Sequence, residues 1–583
     1  MGALSLQAMV VLWVASQSYF FAEDYLSLQL FQQEGLGRDQ LTRSIFGHLI
    51  PGWILLQQTF SELFGANWTA ATVVIMLFHV LGALALTRLL VAMQGRRWWH
   101  PLFTILLGCS LVMLNTAPWW AATTTIQVAC AACISSWGCA VRFWRTGRIR
   151  HLLSLALMFG VALSLWEKSM VTCVYLGLFV LLVGLDDGPL RQRLNTVLRM
   201  WPVWLVMAVE CLAVLAVYLR GNFINEAGET PGLRPVLEFL GLSLLHGFSP
   251  ATMGIGYPSP GLFGSSSAAA WASNLVLLAL VVWTGHRSAR ARRAWLWFLA
   301  VYVIGQSFVA LGRVSVMGPE LAASILRYQL DATYLFLIAA AVVITTLSGA
   351  RESGSTQRTK IKPAVVIATL TVVGIVVLPT WAAALRNVVE ASPGVAARGY
   401  ANNFRETYPK AAAEADGLLD QPVPGNLVQP DLYPWSLGSR VWPMLMDGVH
   451  FTRDPTRASV VDQSGRVGPA VLTNLHPPQE GGCAHVGQAA QPILRSVVRP
   501  QGDTMLAMSA NTPTSSRIAL TATGHGGDLL GTGETFAVPT GESSLAVHVH
   551  AADLDGVQLT VMEGGPVCVS DVRLVTASAG PRP

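Results

Sequence analysis

The chain has 583 residues, 52% of them hydrophobic and 12% charged, with a formal net charge of +5 and a mean hydropathy of +0.48. Soluble domains carry about 25% charged residues, so the composition excludes an ordinary soluble enzyme and describes a polytopic membrane protein with a polar part. No Lys/Arg block suited to a phosphate backbone is present, which excludes a nucleic-acid partner on charge grounds.

A membrane-crossing helix needs about 20 apolar residues. That rule places eleven predicted spans, at 3–21, 69–92, 101–115, 123–141, 152–166, 169–186, 201–219, 269–284, 294–312, 331–348 and 363–383. The first has no basic leader and no small-x-small cleavage site, so it reads as a retained span. Basic residues concentrate in alternate loops, among them Arg96–Arg97, Arg142–Arg150, Arg287–Arg293 and Arg351–Lys362. The opposite loops hold fewer: Arg38, Arg43, Lys168, Arg220, Arg234, Arg313 and Arg327. By the positive-inside rule the N-terminus is cytoplasmic and the C-terminal part extracytoplasmic.

The predicted outer loops are unequal. Loop 22–68 is long, and its segments 39–47 and 51–64 read as amphipathic helices lying along the interface. Loop 220–268 is long and rich in Gly and Pro, while 313–330 is short and charged. Irregular backbone at a membrane surface is tolerated where it lines a water-filled cavity, so a cavity is expected on the outer face. Pro118-Trp119-Trp120 reads as an aromatic interface anchor.

The expected organisation is a transmembrane domain over 1–384, an extracytoplasmic linker or α/β subdomain over 385–467, a β-sandwich over 468–576 and a tail over 577–583. Eight period-two segments support the sandwich: 470–475, 492–499, 504–510, 517–523, 534–539, 543–551, 556–562 and 566–575. Their spacing suits a sandwich or jelly roll. Six cysteines lie in apolar runs. Cys130-x-x-Cys133 has no second ligand pair and reads as buried core. Cys483 and Cys568 stand alone in the polar region and predict one disulfide in an oxidising compartment.

Few residues can carry chemistry. Glu23 and Asp24, adjacent where the first span ends, suit a general base, the neighbouring charge raising one of the two carboxyls. They equally suit an acidic helix cap facing water. Glu167-Lys168 reads either as an ion pair turning the chain or as a phosphate contact through Lys168. Arg313 and the pair Arg327-Tyr328 suit a lipid-borne phosphate, or snorkelling to head groups. His48, in Gly47-His48-Leu49-Ile50-Pro51, reads as a structural residue or as a partner for a sugar, a phosphate or the carboxylates. Glu210 is an ionisable residue inside a predicted span. His485, His548 and His550 lack a further ligand at metal spacing. No Walker loop, Gly-x-Ser-x-Gly, His-Glu-x-x-His or dinucleotide fingerprint occurs.

The first span followed by Glu23-Asp24-Tyr25, the amphipathic segments 39–64, Glu167-Lys168-Ser169 and the outer Arg327-Tyr328 together resemble the GT-C superfamily of polytopic glycosyltransferases. That superfamily includes protein O-mannosyltransferases, aminoarabinose transferases and actinobacterial arabinofuranosyltransferases. Glu23 stands where the family often has Asp, and the Glu-Lys order is reversed relative to some relatives. The C-terminal strands resemble the carbohydrate-binding-like sandwich of several actinobacterial members.

The resemblance implies an inverting transfer from a polyprenyl-phosphate sugar to an envelope glycan, lipid or protein acceptor on the outer face of the plasma membrane. Glu23 or Asp24 would take the acceptor proton. Lys168, Arg313 or Arg327, with Tyr328, would hold the lipid phosphate, and His48 would position donor or acceptor. No cofactor is required, and a divalent metal is left open. A non-catalytic glycan-binding scaffold and a lipid-linked glycan transporter are the competing expectations.

Overall fold

The computed structural model describes residues 2–34, 37, 41–42, 45, 47–185, 188–220, 230–254, 268–352, 378–429, 432, 434–475, 483–498, 504–523, 534–549 and 554–579. Arg38, Asp39, Arg43, His550, most of segment 39–47 and most of the predicted span 363–383 lie outside them. The chain divides into two compact units. One comprises Met1–Tyr19 and Leu30–Val395, the other Phe20–Gln29 and Ala396–Pro583.

The first unit is helical. Among the described residues five helices are long and apolar enough to cross a membrane: Trp68–Gln94, Trp120–Thr146, Trp201–Arg220, Ala289–Met317 and Leu326–Ser348. Gly2–Ser16 and Ile149–Leu165 are shorter apolar helices. The chain is therefore a multi-pass membrane protein. The predicted span 101–115 is two pieces, His100–Gly108 and Leu111–Leu114, because the Ser110 side chain accepts from Met113 N–H and starts a second helix. The predicted span 169–186 opens with a 3-10 turn, Glu167–Val171, before helix Thr172–Leu182.

Helix Trp120–Thr146 is the most enclosed of the five, 83% buried over its apolar window. It begins in a π-helical turn at Thr123–Gln127, a distortion that often marks a functional segment. Trp53 Nε1 and Gln57 Nε2 both donate to Thr124 Oγ1, at 3.1 and 2.9 Å, and Trp120 Nε1 donates to Gln57 Oε1. Helix Pro51–Phe64 is thereby fastened to the central helix. Gly52 permits close approach to a second helix, Ile149–Leu165, since a Cβ there would overlap Ser164 Oγ.

Arginines close one end of this unit. Arg145 donates to Met93 O at 2.9 Å, Arg193 to Leu181 O at 2.7 Å, and Arg290 to Gly184 O at 3.4 Å. Cations on terminal helix carbonyls offset the negative end of the helix dipole.

Among its described residues the second unit has eleven strands. They are β1 (Gly417–Leu418), β2 (Ala458–Val461), β3 (Val467–Asn474), β4 (Ala484–Val486), β5 (Gln491–Val498), β6 (Thr504–Thr512), β7 (Ser516–Thr523), β8 (Glu534–Val538), β9 (Gly541–His548), β10 (Leu554–Glu563) and β11 (Val567–Ala579). One sheet runs β1-β2-β3-β11-β6-β9, with β4 on β11, and the other runs β5-β10-β7-β8.

Leu506, Met508 and Leu545 of the first sheet and Ile518, Phe536 and Leu559 of the second share one core, which makes this a β-sandwich. All eight strands expected from the period-two pattern are found. The sequence reading missed β1, β2 and β4, which are too short to show a period. β11 carries a bulge between Ser570 and Arg573, with Asp571 at φ 51°.

The predicted disulfide is present between Cys483 and Cys568, 85 residues apart. It ties the residue before β4 to the start of β11. Closing so long a loop is worth about 4–5 kcal/mol in the chain-entropy account. Replacing both cysteines by Ala is expected to lower the unfolding midpoint of the extracytoplasmic unit by several degrees, followed by circular dichroism of the full chain at β-sheet wavelengths. An unchanged midpoint contradicts this assignment.

Candidate functional site

Glu167 and Lys168 are neighbours, but each is committed to a different partner. Trp166 is extended at φ −160°, and the 3-10 turn after it separates the two side chains. Glu167 Oε1 accepts from Leu49 N–H at 2.6 Å and its Oε2 lies 3.2 Å from His48 Nδ1. Lys168 Nζ meets Asp331 Oδ1 at 2.8 Å and donates to Tyr328 O at 3.3 Å. The Glu167–Lys168 ion pair weighed from the sequence is therefore replaced by two pairs reaching across the unit.

His48 links Glu167 to a third residue, with its Nε2 2.7 Å from Arg313 Nη2. A guanidinium cannot accept a hydrogen bond or lose its proton in a protein. His48 Nε2 must therefore be the acceptor, and the ring proton sits on Nδ1, donated to Glu167. The result is a chain from carboxylate through neutral imidazole to guanidinium. The His48 side chain is 36% exposed and that of Glu167 is 11% exposed, so the chain reaches from the interior to an accessible ring. Helix Pro51–Phe64 holds His48 in place through Gly52, Trp53 and Gln57. Tyr218 adds a bond from its hydroxyl to Gly47 O at 3.0 Å.

Lys168 is almost wholly enclosed. Its side chain is 2% exposed and that of Asp331 is 16% exposed. Tyr175 hydroxyl donates to Asp331 Oδ2 at 3.4 Å. These groups border a cavity of about 30 Å³ that Cys130, Cys133, Thr172 and Tyr334 also line. The ion pair ties the turn Glu167–Val171 to the first turn of helix Leu330–Glu352, and the bond to Tyr328 O ties it to the preceding turn Leu326–Gln329, which presents Arg327. Arg327 stacks over Trp119 at 4.1 Å and Tyr328 at 5.1 Å. Among the described residues it has no carboxylate partner.

The structure thus brings together Glu167 and Arg313 through His48, and Lys168 and Tyr328 through a backbone bond. Asp331 and Tyr175 were missed by the sequence reading because both sit inside apolar runs taken as spans. Asp331 was visible as an acid at the start of such a run, the one signal available. Glu210 has a buried Oε2 without a bond partner among the described residues. Among the described residues no three His, Cys, Asp or Glu side chains are gathered as for a metal ion.

The acidic pair belongs to the second unit. Helix Glu23–Glu34 carries both carboxylates in its first turn, where the helix dipole favours them. Asp24 is fully buried and its Oδ2 accepts from Phe21 N–H at 3.2 Å. Glu23 is partly exposed, and its Oε2 is a buried oxygen with no hydrogen-bond partner among the described residues. Ala22, just before the pair, is left-handed at φ 51° and donates its N–H to Leu427 O at 2.6 Å. A left-handed alanine costs about 1–2 kcal/mol, and such strain persists only where its surroundings enforce it. In the same unit burial raises the Asp420 carboxyl above its ordinary range, opposed by the Ser439 N–H and by Arg453 and Arg440.

Two outcomes follow from this geometry. Ala22→Gly is expected to raise stability by up to about 1 kcal/mol, since glycine adopts this φ without strain, as read by thermal unfolding. Lys168→Met is expected to cost about 3–5 kcal/mol by leaving Asp331 an unpaired buried charge, and Lys168→Met with Asp331→Leu to restore most of it. Equal melting of single and double variants contradicts the pairing.

No family model matches the chain, and no curated protein matches it. Three solved structures are among those similar to the chain. ArnT from Cupriavidus metallidurans bound to undecaprenyl phosphate is 16% identical, with 79% of this chain and 85% of that one covered and a TM-score of 0.39. The oligosaccharyltransferase AglB from Archaeoglobus fulgidus, in complex with an inhibitory peptide and a dolichol-phosphate, is 12% identical over 67% of this chain, TM-score 0.35. The arabinosyltransferase EmbB from Mycobacterium smegmatis is 11% identical over 99% of this chain, TM-score 0.33. The chain spans 55% of the AglB chain and 65% of the EmbB chain. At these identities and TM-scores the likeness carries no argument about chemistry.

Proposed function

We propose that this chain is a GT-C-type membrane glycosyltransferase that moves a sugar from a polyprenyl-phosphate donor to an envelope glycan, lipid or protein acceptor. The reading rests on the Glu167–His48–Arg313 chain. It fixes one guanidinium in orientation, yet the group it touches there is a neutral imidazole, so its charge stays available to an anion. Arg327, on two aromatic faces and without a carboxylate, is a second available cation. Two such arginines suit the oxygens of a phosphate leaving group, where negative charge grows during transfer.

In this reading Lys168 holds the scaffold instead of the phosphate, because Asp331 already neutralises it. Tyr328 contributes its ring beneath Arg327. The proton acceptor is assigned to the Glu23–Asp24 pair. Glu23 is the stronger choice of the two, since it has an uncommitted oxygen while Asp24 is spent on its own helix start. Attack by the acceptor hydroxyl opposite the leaving phosphate gives inversion. The loops richer in Arg and Lys are assigned to the cytoplasm and the C-terminal part of the chain to the outer face, following the distribution of basic residues.

Glycan transfer in membranes tests the assignment. Glu23→Gln is expected to lower kcat by about 10²–10⁴-fold, the usual worth of a general base. Arg313→Ala is expected to weaken transfer with a large loss in kcat/KM. Full activity in Glu23→Gln, Asp24→Asn and the double variant overturns the mechanism.

A further inference from the structure

The hydrogen bond between His48 and Arg313 has a consequence for protons. With nothing bound, Arg313 occupies the Nε2 lone pair of His48, so the ring is neutral. Glu167 holds the other ring nitrogen as a donor. A carboxylate on Nδ1–H is the arrangement that stabilises an imidazolium once Nε2 takes a proton. His48 is therefore kept neutral by one neighbour and prepared for charge by the other.

We propose that a phosphate monoester arriving at Arg313 draws the guanidinium away from His48, and that His48 then takes up a proton at Nε2 and donates it in a hydrogen bond to the same phosphate. This rests on the phosphate site of the proposed function. The charges favour it. Glu167 and Arg313 cancel and Arg327 offsets one charge of the phosphate, so a dianion beside a neutral His48 leaves one uncompensated negative charge, and protonation removes it. A phosphodiester carries a single negative charge and calls for no such proton.

The side chains bonded to the His48 ring are Glu167 from the turn Glu167–Val171 and Arg313 from helix Ala289–Met317. Helix Trp201–Arg220 brings Tyr218, which is bonded to Gly47 O, and Lys168 is turned to Asp331.

The same asymmetry enters the transfer. The bond from the acceptor oxygen to the anomeric carbon forms as the bond from that carbon to the phosphate oxygen breaks. The electron pair stays on the phosphate, which passes from diester to monoester. The acceptor's proton goes to the carboxylate base, and His48 takes its own proton from water. The donor is a diester and meets a neutral His48, whereas the departing monoester meets a cationic one. His48 thus favours the charge that grows in the transition state over that of the ground state.

The test is isothermal titration of the full chain in detergent with a short-chain polyprenyl monophosphate, in buffers of different ionisation enthalpy. It is run between about pH 7 and 8, above the second phosphate ionisation near 6. Wild type is expected to take up a proton on binding, and affinity to tighten as pH falls, by up to about tenfold per unit for one linked proton. His48→Gln is expected to bind with no proton exchange, and Glu167→Gln with reduced uptake, a change that a merely structural role would not produce.

Inorganic phosphate and a phosphodiester phospholipid are the comparison arms. Uptake with the lipid monophosphate alone assigns the site to a lipid headgroup, and uptake with inorganic phosphate too assigns it to any phosphate dianion. Equal uptake with the diester overturns the inference. Binding of the monophosphate without proton exchange in wild type overturns it alone, and no binding at all overturns the proposed function as well.

Discussion

A carboxylate removed from water must be met by donors, and Glu167 is met by two that lie far away in sequence. Its oxygens take the Leu49 N–H and the His48 ring. Those bonds set where the segment before helix Pro51–Phe64 can lie, which in turn sets which ring nitrogen faces Arg313. The close approach at Gly52 and the Thr124 bonds of Trp53 and Gln57 serve the same placement. Removing the carboxylate would leave the His48 Nδ1–H without its acceptor.

The adjacent Lys168 shows how one short turn can serve two ends. In a 3-10 turn, neighbouring side chains diverge, so Glu167 reaches the half-exposed His48 ring while Lys168 is enclosed beside Asp331. A buried ion pair is weak evidence for stability, because desolvation offsets the attraction, but breaking one partner is costly. Lys168, through Asp331 and Tyr328 O, therefore fixes the turn Glu167–Val171 against the start of helix Leu330–Glu352 and the turn before it, on which Arg327 sits. Its place over the Trp119 ring orients that guanidinium without neutralising its charge.

Much of this was legible from the chain and some was not. The eight period-two strands and the cysteine pair were readable because each rests on a local pattern or a simple count. His48, Arg313 and Arg327 were recognisable as polar residues at the ends of apolar runs. Their partners were not. Glu167 and Lys168 are adjacent, and the local rule pairs them, whereas burial and backbone direction send them apart. Asp331 and Tyr175 were absorbed into predicted spans, since hydropathy averages over a window and hides a single ionisable group. The Glu23–Asp24 pair was readable as unusual, but its residence with the second unit was not, because that is a matter of long-range packing around Leu427 and Trp435.

The account turns on which cations meet the lipid phosphate. A density map of the full chain with a polyprenyl monophosphate bound addresses this directly. The account predicts phosphate oxygens within hydrogen-bond reach of Arg313, with Lys168 still paired to Asp331. A phosphate seated on Lys168, with Asp331 turned away and His48 still bonded to Arg313, would contradict it.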